Sequence, residues 1–338
     1  MDPSTFDTCL LVNQDATAII GLQTDDTLIA ADDPFMVKEE VAIREAKFLC
    51  KPCEKLTLDH PIPFNGFVTT LLHDAIVISQ DRQRRKIQLL SPDTFTKDQY
   101  VAQRARGAYI ATVSQPQASF ALSRAAQITN PTAEDAKYLN KCLSWQSVGP
   151  GLRFTRLNMN ALRIVAFTDS SFANNPDHSS QIGYVVTLVD DMNNANIIHW
   201  QSVKCRRVTR SVLASELYAL SLGFDIASTM KSTITQILSR SRQGNKVDTI
   251  PLTMCIDSKS LYNCPVKLGT TQEKRLMVDI MCIRQSYERR EISEIVWIQG
   301  DENPADAMTK DKPCKALQKL VDTNRLELNA DAWVERED

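Results

Sequence analysis

The sequence has no excess of charge of either sign. Its 39 basic and 41 acidic residues leave a formal net charge of −2. No global positive field draws the chain to nucleic acid, so any such binding has to rest on local patches. No apolar run approaches the ~18 residues that cross a bilayer, and "MDPSTFDTCLLV" lacks the basic start and long apolar core of a signal peptide. The expectation is a chain with no membrane partner. Cysteines number nine, but only Cys50 and Cys53 form a close pair. With no second pair to complete a four-ligand zinc site, reduced thiols in the cytosol or nucleus are expected. Internal repeats and low-complexity stretches are also missing. What is present is an ordinary foldable composition, 43% hydrophobic and 24% charged over 338 residues, with a length that suggests about two domains.

The first half reads as mixed α+β. "AIIGLQTDDTLIAAD" predicts a β-hairpin with Asp25 and Asp26 at its tip, and "NGFVTTLLHDAIVISQ" predicts a second one with His73 and Asp74 at the turn. Helical patterns cover 34–49, 97–112 and 116–145, the last broken near Asn130-Pro131. Gly149-Pro150-Gly151 then interrupts all periodicity and marks a linker, placed at 146–160. Beyond it the pattern changes. Strand-like runs at 162–169, 181–189 and 196–203 precede a long helix over about 211–239, whose Leu213, Leu217, Leu220 and Phe224 share one face. A strand "IPLTMCID", a helix over 273–290, a strand "EIVWIQ" and a helix beginning near 304 follow. That order fits one central mixed sheet covered by helices. The expected division is 1–145, a linker at 146–160, a second domain at 161–325 and a tail at 326–338.

Four acids in the second half stand at element ends: Asp169 after "LRIVAF", Glu216 on the long helix, Asp257 after "TMCI" and Asp306 in "GDENPADAMTK". Each has a plain structural role available. Asp169 would start a turn, and Glu216 would border a packed helix face. Asp257 would cap the short helix at 258–263, and Asp306, behind Asn303 and Pro304, would favour a helix dipole. Jointly they point elsewhere. The predicted sheet sets Asp169 beside Asp257. An all-oxygen ligand set without histidine or thiol suits magnesium or manganese rather than zinc, and scattered acids of this kind can hold two divalent cations against a phosphodiester. "KCRRVTR" adds Lys204, Arg206, Arg207 and Arg210 between the third strand and the long helix, where they would flank the acids and grip phosphates. "RQRRK", at residues 82–86, is a second basic run.

"FTDSSFAN", "HWQSVK", "SELYAL", "IDSKSLYN", "EKRLMVDIMCIRQSYERREI" and "VWIQGDENPADAMTK" together resemble the ribonuclease H domain of copia-type LTR retrotransposon polyproteins, particularly fungal ones. The resemblance implies a ribonuclease H-like fold, a five-stranded mixed sheet with flanking helices. It also implies that Asp169, Glu216, Asp257 and Asp306 bind two Mg²⁺ (or Mn²⁺) and cleave RNA in an RNA–DNA hybrid, leaving 3′-hydroxyl and 5′-phosphate ends. Asp169 and Asp257 would be the primary ligands, with Glu216 and Asp306 outside them. Many retroviral relatives carry a histidine before the last Asp; the loop "QGDENPA" has none, and Glu302 is the candidate to replace it. The first half is similar to the C-terminal palm and thumb of the reverse transcriptase from the same polyproteins, with Asp25 and Asp26 as two polymerase metal ligands. A third carboxylate and the fingers are not in the 24 residues before Asp25. The expectation is therefore a truncated, inactive polymerase joined to a ribonuclease H, with RNA–DNA hybrid and other retroelement products as partners, in cytoplasmic virus-like particles or the nucleus. A catalytically dead or co-opted remnant is the alternative. An integrase-type transferase is disfavoured because the glutamate here comes second among the acids.

Overall fold

The structure is a computed structural model that describes residues 1–241, 249–266 and 273–332. Two small antiparallel sheets and a helical cluster make up the first half. Strands β1 (Asp2–Pro3), β2 (Leu10–Val12), β3 (Ala18–Gln23) and β4 (Asp26–Ala31) pair in sequence order. The β3–β4 hairpin turns at Thr24-Asp25, where Thr24 takes φ 51°. Helix α1 (Asp33–Glu45) is capped by Asp32, whose side chain accepts from the Phe35 N–H. Strands β5 (Ile62–Phe64), β6 (Phe67–Leu71) and β7 (Ala75–Ser79) include the second expected hairpin. A short helix α2 (Asp81–Arg84) leads to α3 (Lys97–Val113), α4 (Ser119–Ala126) and α5 (Ala133–Val148). The last three share a core of Tyr100, Leu122, Leu139 and Leu143. The expected break near Pro131 falls between α4 and α5. Thr132 there begins α5 with a capping box to Asp135.

The stretch expected as a linker is structured. Helix α5 runs to Val148, and β8 (Leu152–Thr155) pairs antiparallel with β7. Gly149 and Gly151 serve close packing rather than looseness: a Cβ on Gly151 would lie 2.4 Å from the Ile78 carbonyl oxygen.

The second half is built on β9 (Arg163–Ser171), β10 (Gln181–Val189), β11 (Ala195–Lys204), β12 (Leu252–Ile256) and β13 (Glu294–Ile298). The sheet order is β11-β10-β9-β12-β13-β14, where β14 is Ala330–Ala332. The first three strands are antiparallel meander neighbours, while β9–β12 and β12–β13 are parallel. The five-stranded mixed sheet implied by the resemblance is thus present and extended by one short strand, which comes from the region expected as a tail. The long helix is α6 (Val212–Ser241). The shorter ones are α7 (Lys259–Val266), α8 (Met277–Glu288, entered through a 3₁₀ turn at Lys274–Leu276) and α9 (Lys315–Thr323).

Burial on both faces explains why β9 is apolar from Ile164 to Phe167. Ile164 and Ala166 face α6 and α8 with Leu217, Leu220, Ile280 and Ile283, whereas Val165 and Phe167 face α9 with Leu317 and Leu320. A strand covered on both faces needs no polar side. The regular helix expected near 304 is a 3₁₀ segment, Pro304–Met308, and α9 starts only at Lys315. Pro313 lies between them and disfavours helical geometry at the residue before it. The halves touch: the Trp200 indole N–H donates to the Ala111 carbonyl (3.0 Å), Gln181 Nε2 donates to Ser123 Oγ (2.8 Å), and Arg240 Nη1 donates to the Val12 carbonyl (2.8 Å).

Candidate active site

Parallel pairing of β9 with β12 places their C-terminal ends together, so Asp169 and Asp257 project from neighbouring strand ends. The 3₁₀ segment adds Asp306 from the face of the sheet lined by Val165 and Phe167. Asn303 positions that segment. Its Oδ1 accepts from the Ala305 N–H, and its Nδ2 donates to the Thr168 carbonyl at 3.0 Å, which ties the element carrying Asp306 to the strand carrying Asp169. A glycine makes room for the approach. Gly183 of β10 pairs with Asp169, and a Cβ there would fall 2.2 Å from Met308 Cβ. Ligand atoms of Asp169, Asp257 and Asp306 all lie within 4.8 Å of one another. Glu216 arrives from the first turns of α6 and is buried, accepting a 2.8 Å hydrogen bond from Ser170 Oγ.

Capping does not consume these acids. Ser258, not Asp257, caps α7 through its hydroxyl to the Leu261 N–H, and Asn303 caps the 3₁₀ segment ahead of Asp306. Electrostatics mark the group as strained in charge. Burial, and then the neighbouring Asp257, push the Asp169 carboxyl up to about 7, although Lys310 and the Thr309 hydroxyl pull the other way. Burial, followed by Asp169 and Asp257, raises Glu216 well above the usual carboxylate range. Burial also raises Asp257. Packing like charges into a desolvated site is unfavourable unless a cation is bound there.

One cation is already present. Lys310 Nζ lies 2.6 Å from Asp306 Oδ1 and 3.4 Å from Asp169 Oδ1. Burial lowers its pKa, but Asp169 and Asp306 more than offset this, so it ends above the ordinary lysine value. Lys312 Nζ stands 3.6 Å from Asp306 Oδ2, and the Thr309 hydroxyl donates to Asp169 Oδ2. Sequence reasoning missed Lys310 and Thr309, and it read Asn303 as a cap without its tie to the Thr168 carbonyl. The available signal was the four-residue spacing of Asp306 and Lys310 in "DAMTK". All-oxygen donors from separate elements around a site already holding one ammonium fit hard divalent cations.

The basic segment follows β11 and leads into α6. Lys204 pairs with Asp177. Arg207 reaches Asp279 at 3.4 Å and stacks 4.9 Å over the Tyr218 ring. Arg206 and Arg210 are exposed. Glu302 is half-buried and accepts from Asn329 Nδ2 at 2.7 Å. Asp25 and Asp26 are exposed at their hairpin. Among the described residues, the group of three or more side chains able to hold a metal is Asp169, Asp257 and Asp306, and neither hairpin acid joins it. Also among the described residues, no helix is long and apolar enough to cross a membrane.

No family model matches the chain. Its homologues are Gag-Pol polyproteins of copia-type Ty1 transposons from Saccharomyces cerevisiae. The truncated Ty1-A polyprotein is 25% identical over 163 residues, and the Ty1-NL2 polyprotein 24% identical over 163. These matches take in 47% of this chain but only 12% and 8% of the respective relatives, so the chain spans a small part of their length. Among solved structures, LC11-RNase H1 in complex with RNA/DNA hybrid is similar over 46% of this chain and 99% of its own, at 20% identity and a TM-score of 0.32. The foamy viral protease-reverse transcriptase in complex with RNA/DNA hybrid covers 94% of this chain and 38% of its own, at 13% identity and a TM-score of 0.48.

Proposed function

We propose that the chain is a retroelement-derived ribonuclease H that hydrolyses the RNA strand of RNA–DNA hybrids with Mg²⁺ or Mn²⁺, attached to a polymerase remnant that does not extend primers. The observation that carries this reading is the convergence of Asp169, Asp257 and Asp306 within 4.8 Å, with buried Glu216 close enough for both Asp169 and Asp257 to raise its pKa. Two divalent ions, when bound, would neutralise the acids and polarise the scissile phosphodiester and its attacking water. Asp169 and Asp257 would hold the shared positions, and Glu216 and Asp306 the outer ones. Ser170 fixes the Glu216 carboxylate through its hydroxyl, and Thr309 fixes Oδ2 of Asp169, while Oδ1 faces Lys310. Asn303 sets the spacing between the Asp169 and Asp306 elements. Exposed Arg206 and Arg210, beside the start of α6, are suited to steady the hybrid through its phosphates.

In the polymerase-like half Asp25 and Asp26 lie on an exposed turn, and among the described residues they join no group of three metal-ligating side chains. Similarity to Gag-Pol polyproteins supports a setting in a cytoplasmic virus-like particle; the nucleus is the other setting proposed, with other polyprotein products as partners. The test is incubation of the full chain with an end-labelled hybrid and Mg²⁺. Cleavage that ends on chelation and is lost in Asp257→Asn is expected. Cleavage that persists unchanged in Asp257→Asn would sink the assignment.

A further inference from the structure

We propose that Lys310 is a built-in counter-cation that occupies the position of a divalent ion between Asp169 and Asp306 and has to be expelled before metal binds there. The inference rests on the metal-dependent reading of the same acids. Three observations carry it. First, the ammonium bridges two carboxylates from different elements, 2.6 Å from Asp306 and 3.4 Å from Asp169; a bridging ion would make the same connection. Second, competition falls on a single atom. Asp169 Oδ2 already accepts from the Thr309 hydroxyl, so Oδ1 has the freer lone pairs for a metal, and Oδ1 is the oxygen that Lys310 contacts. Third, the lysine can leave. Its side chain is 34% exposed against 2% and 6% for its two partners, so the ammonium can swing to water without disturbing the core.

Lys312 is not equivalent. It reaches Asp306 alone, at 3.6 Å, from a side chain that is 57% exposed. Of these two lysines, only Lys310 holds the Asp169–Asp306 pair together without metal. The arrangement keeps the acid cluster folded and partly neutralised when divalent ions are scarce, and it sets the affinity for metal as a difference between two cations rather than as the full attraction of the acids.

Isothermal titration of Mn²⁺ and Mg²⁺ into the full chain tests the proposal, with wild type, Lys310→Gln and Lys310→Arg compared. Lys310→Gln is expected to bind metal roughly tenfold tighter or more, since removing one charge at contact distance removes the competitor, while Lys310→Arg stays near wild type. Equal affinity in wild type and Lys310→Gln overturns the inference while leaving hybrid cleavage to stand by itself. Metal binding by Lys310→Gln but not by wild type, over the concentrations titrated, supports the inference, with Lys310 out-competing the metal in wild type. Binding by neither removes both. If Lys310→Gln does not fold, amine acylation of wild type read by mass spectrometry decides. Saturating Mg²⁺ is expected to raise labelling of Lys310 several-fold relative to Lys319. Unchanged labelling, with metal bound or with none bound, overturns the proposal.

Discussion

Asp169 is a carboxyl that folding makes harder to ionise. Burial, Asp257 and Asp306 push it up, Lys310 and Thr309 pull it down, and the balance lies at about 7 against an unfolded value near 3.8. The sign of the stability effect follows. Between those two values the folded chain keeps a proton that the unfolded chain has released. Metal-free stability therefore falls as pH rises through this window and levels off above it. Glu216 and Asp257 are raised as well and add in the same direction. In chelator, the melting temperature is expected to rise as pH is lowered from 8 toward 5.5. Stabilisation by Mg²⁺ is expected to be larger at pH 8 than at pH 6. A melting temperature in chelator that climbs with pH contradicts this account. Asp169→Asn should bind no metal yet gain stability on the order of 1 kcal/mol in chelator, because a poorly compensated buried charge disappears; thermal denaturation of both proteins checks this.

At the scale of elements, two glycines let ligand-bearing segments approach the sheet. On Gly183 a Cβ would meet Met308 Cβ at 2.2 Å, and on Gly223 of α6 it would meet Thr168 Cγ2 at 2.5 Å. Gly183→Ala should cost about 1–3 kcal/mol through overpacking and also weaken metal binding, since the segment it displaces carries Asp306. Gly223→Ala should show a similar loss of stability. Urea melts with parallel metal titrations separate the two effects, and unaltered metal affinity in Gly183→Ala would show that the Asp306 segment tolerates the shift. Much of this architecture was legible in the sequence. The apolar runs of β9, β10 and β11, the one-face leucines of α6 and the stripe from Leu276 through α8 to Tyr287 all carry strong signals. What escaped was short or defined by tertiary contact. β5 and β8 span three and four residues, too few for a pattern, and β14 pairs only because β13 has an open edge. The helix expected from 304 is broken because Pro313 follows so soon. The four acids could be read from their positions at element ends. Lys310 could be paired with Asp306 from their four-residue spacing, but not with Asp169, which lies 141 residues away in the chain.

For the whole molecule, the division of the chain matters. A boundary at 161 would strip Leu152 and Phe154 from the packing around Val165 and Phe167. A fragment starting at 150 should therefore be more stable than one starting at 161, by about 2–5 kcal/mol for the loss of a buried large side chain. Equal melting temperatures would show that β8 belongs energetically to the β5–β7 sheet alone. The indoles at two strategic places carry a further consequence. Trp200 donates across the seam between the halves to Ala111, and Trp297 donates to the Asp257 carbonyl at 3.0 Å with the Lys259 ammonium 5.1 Å from its ring centre. Trp200 and Trp297, two of the four tryptophans in the chain, are thus fluorophores of different address. With the other three tryptophans replaced by Phe, emission from Trp297 would follow ion loading one hydrogen bond from a ligand, and a variant keeping only Trp200 would follow separation of the halves, so that site filling and interdomain motion can be timed separately without an added label.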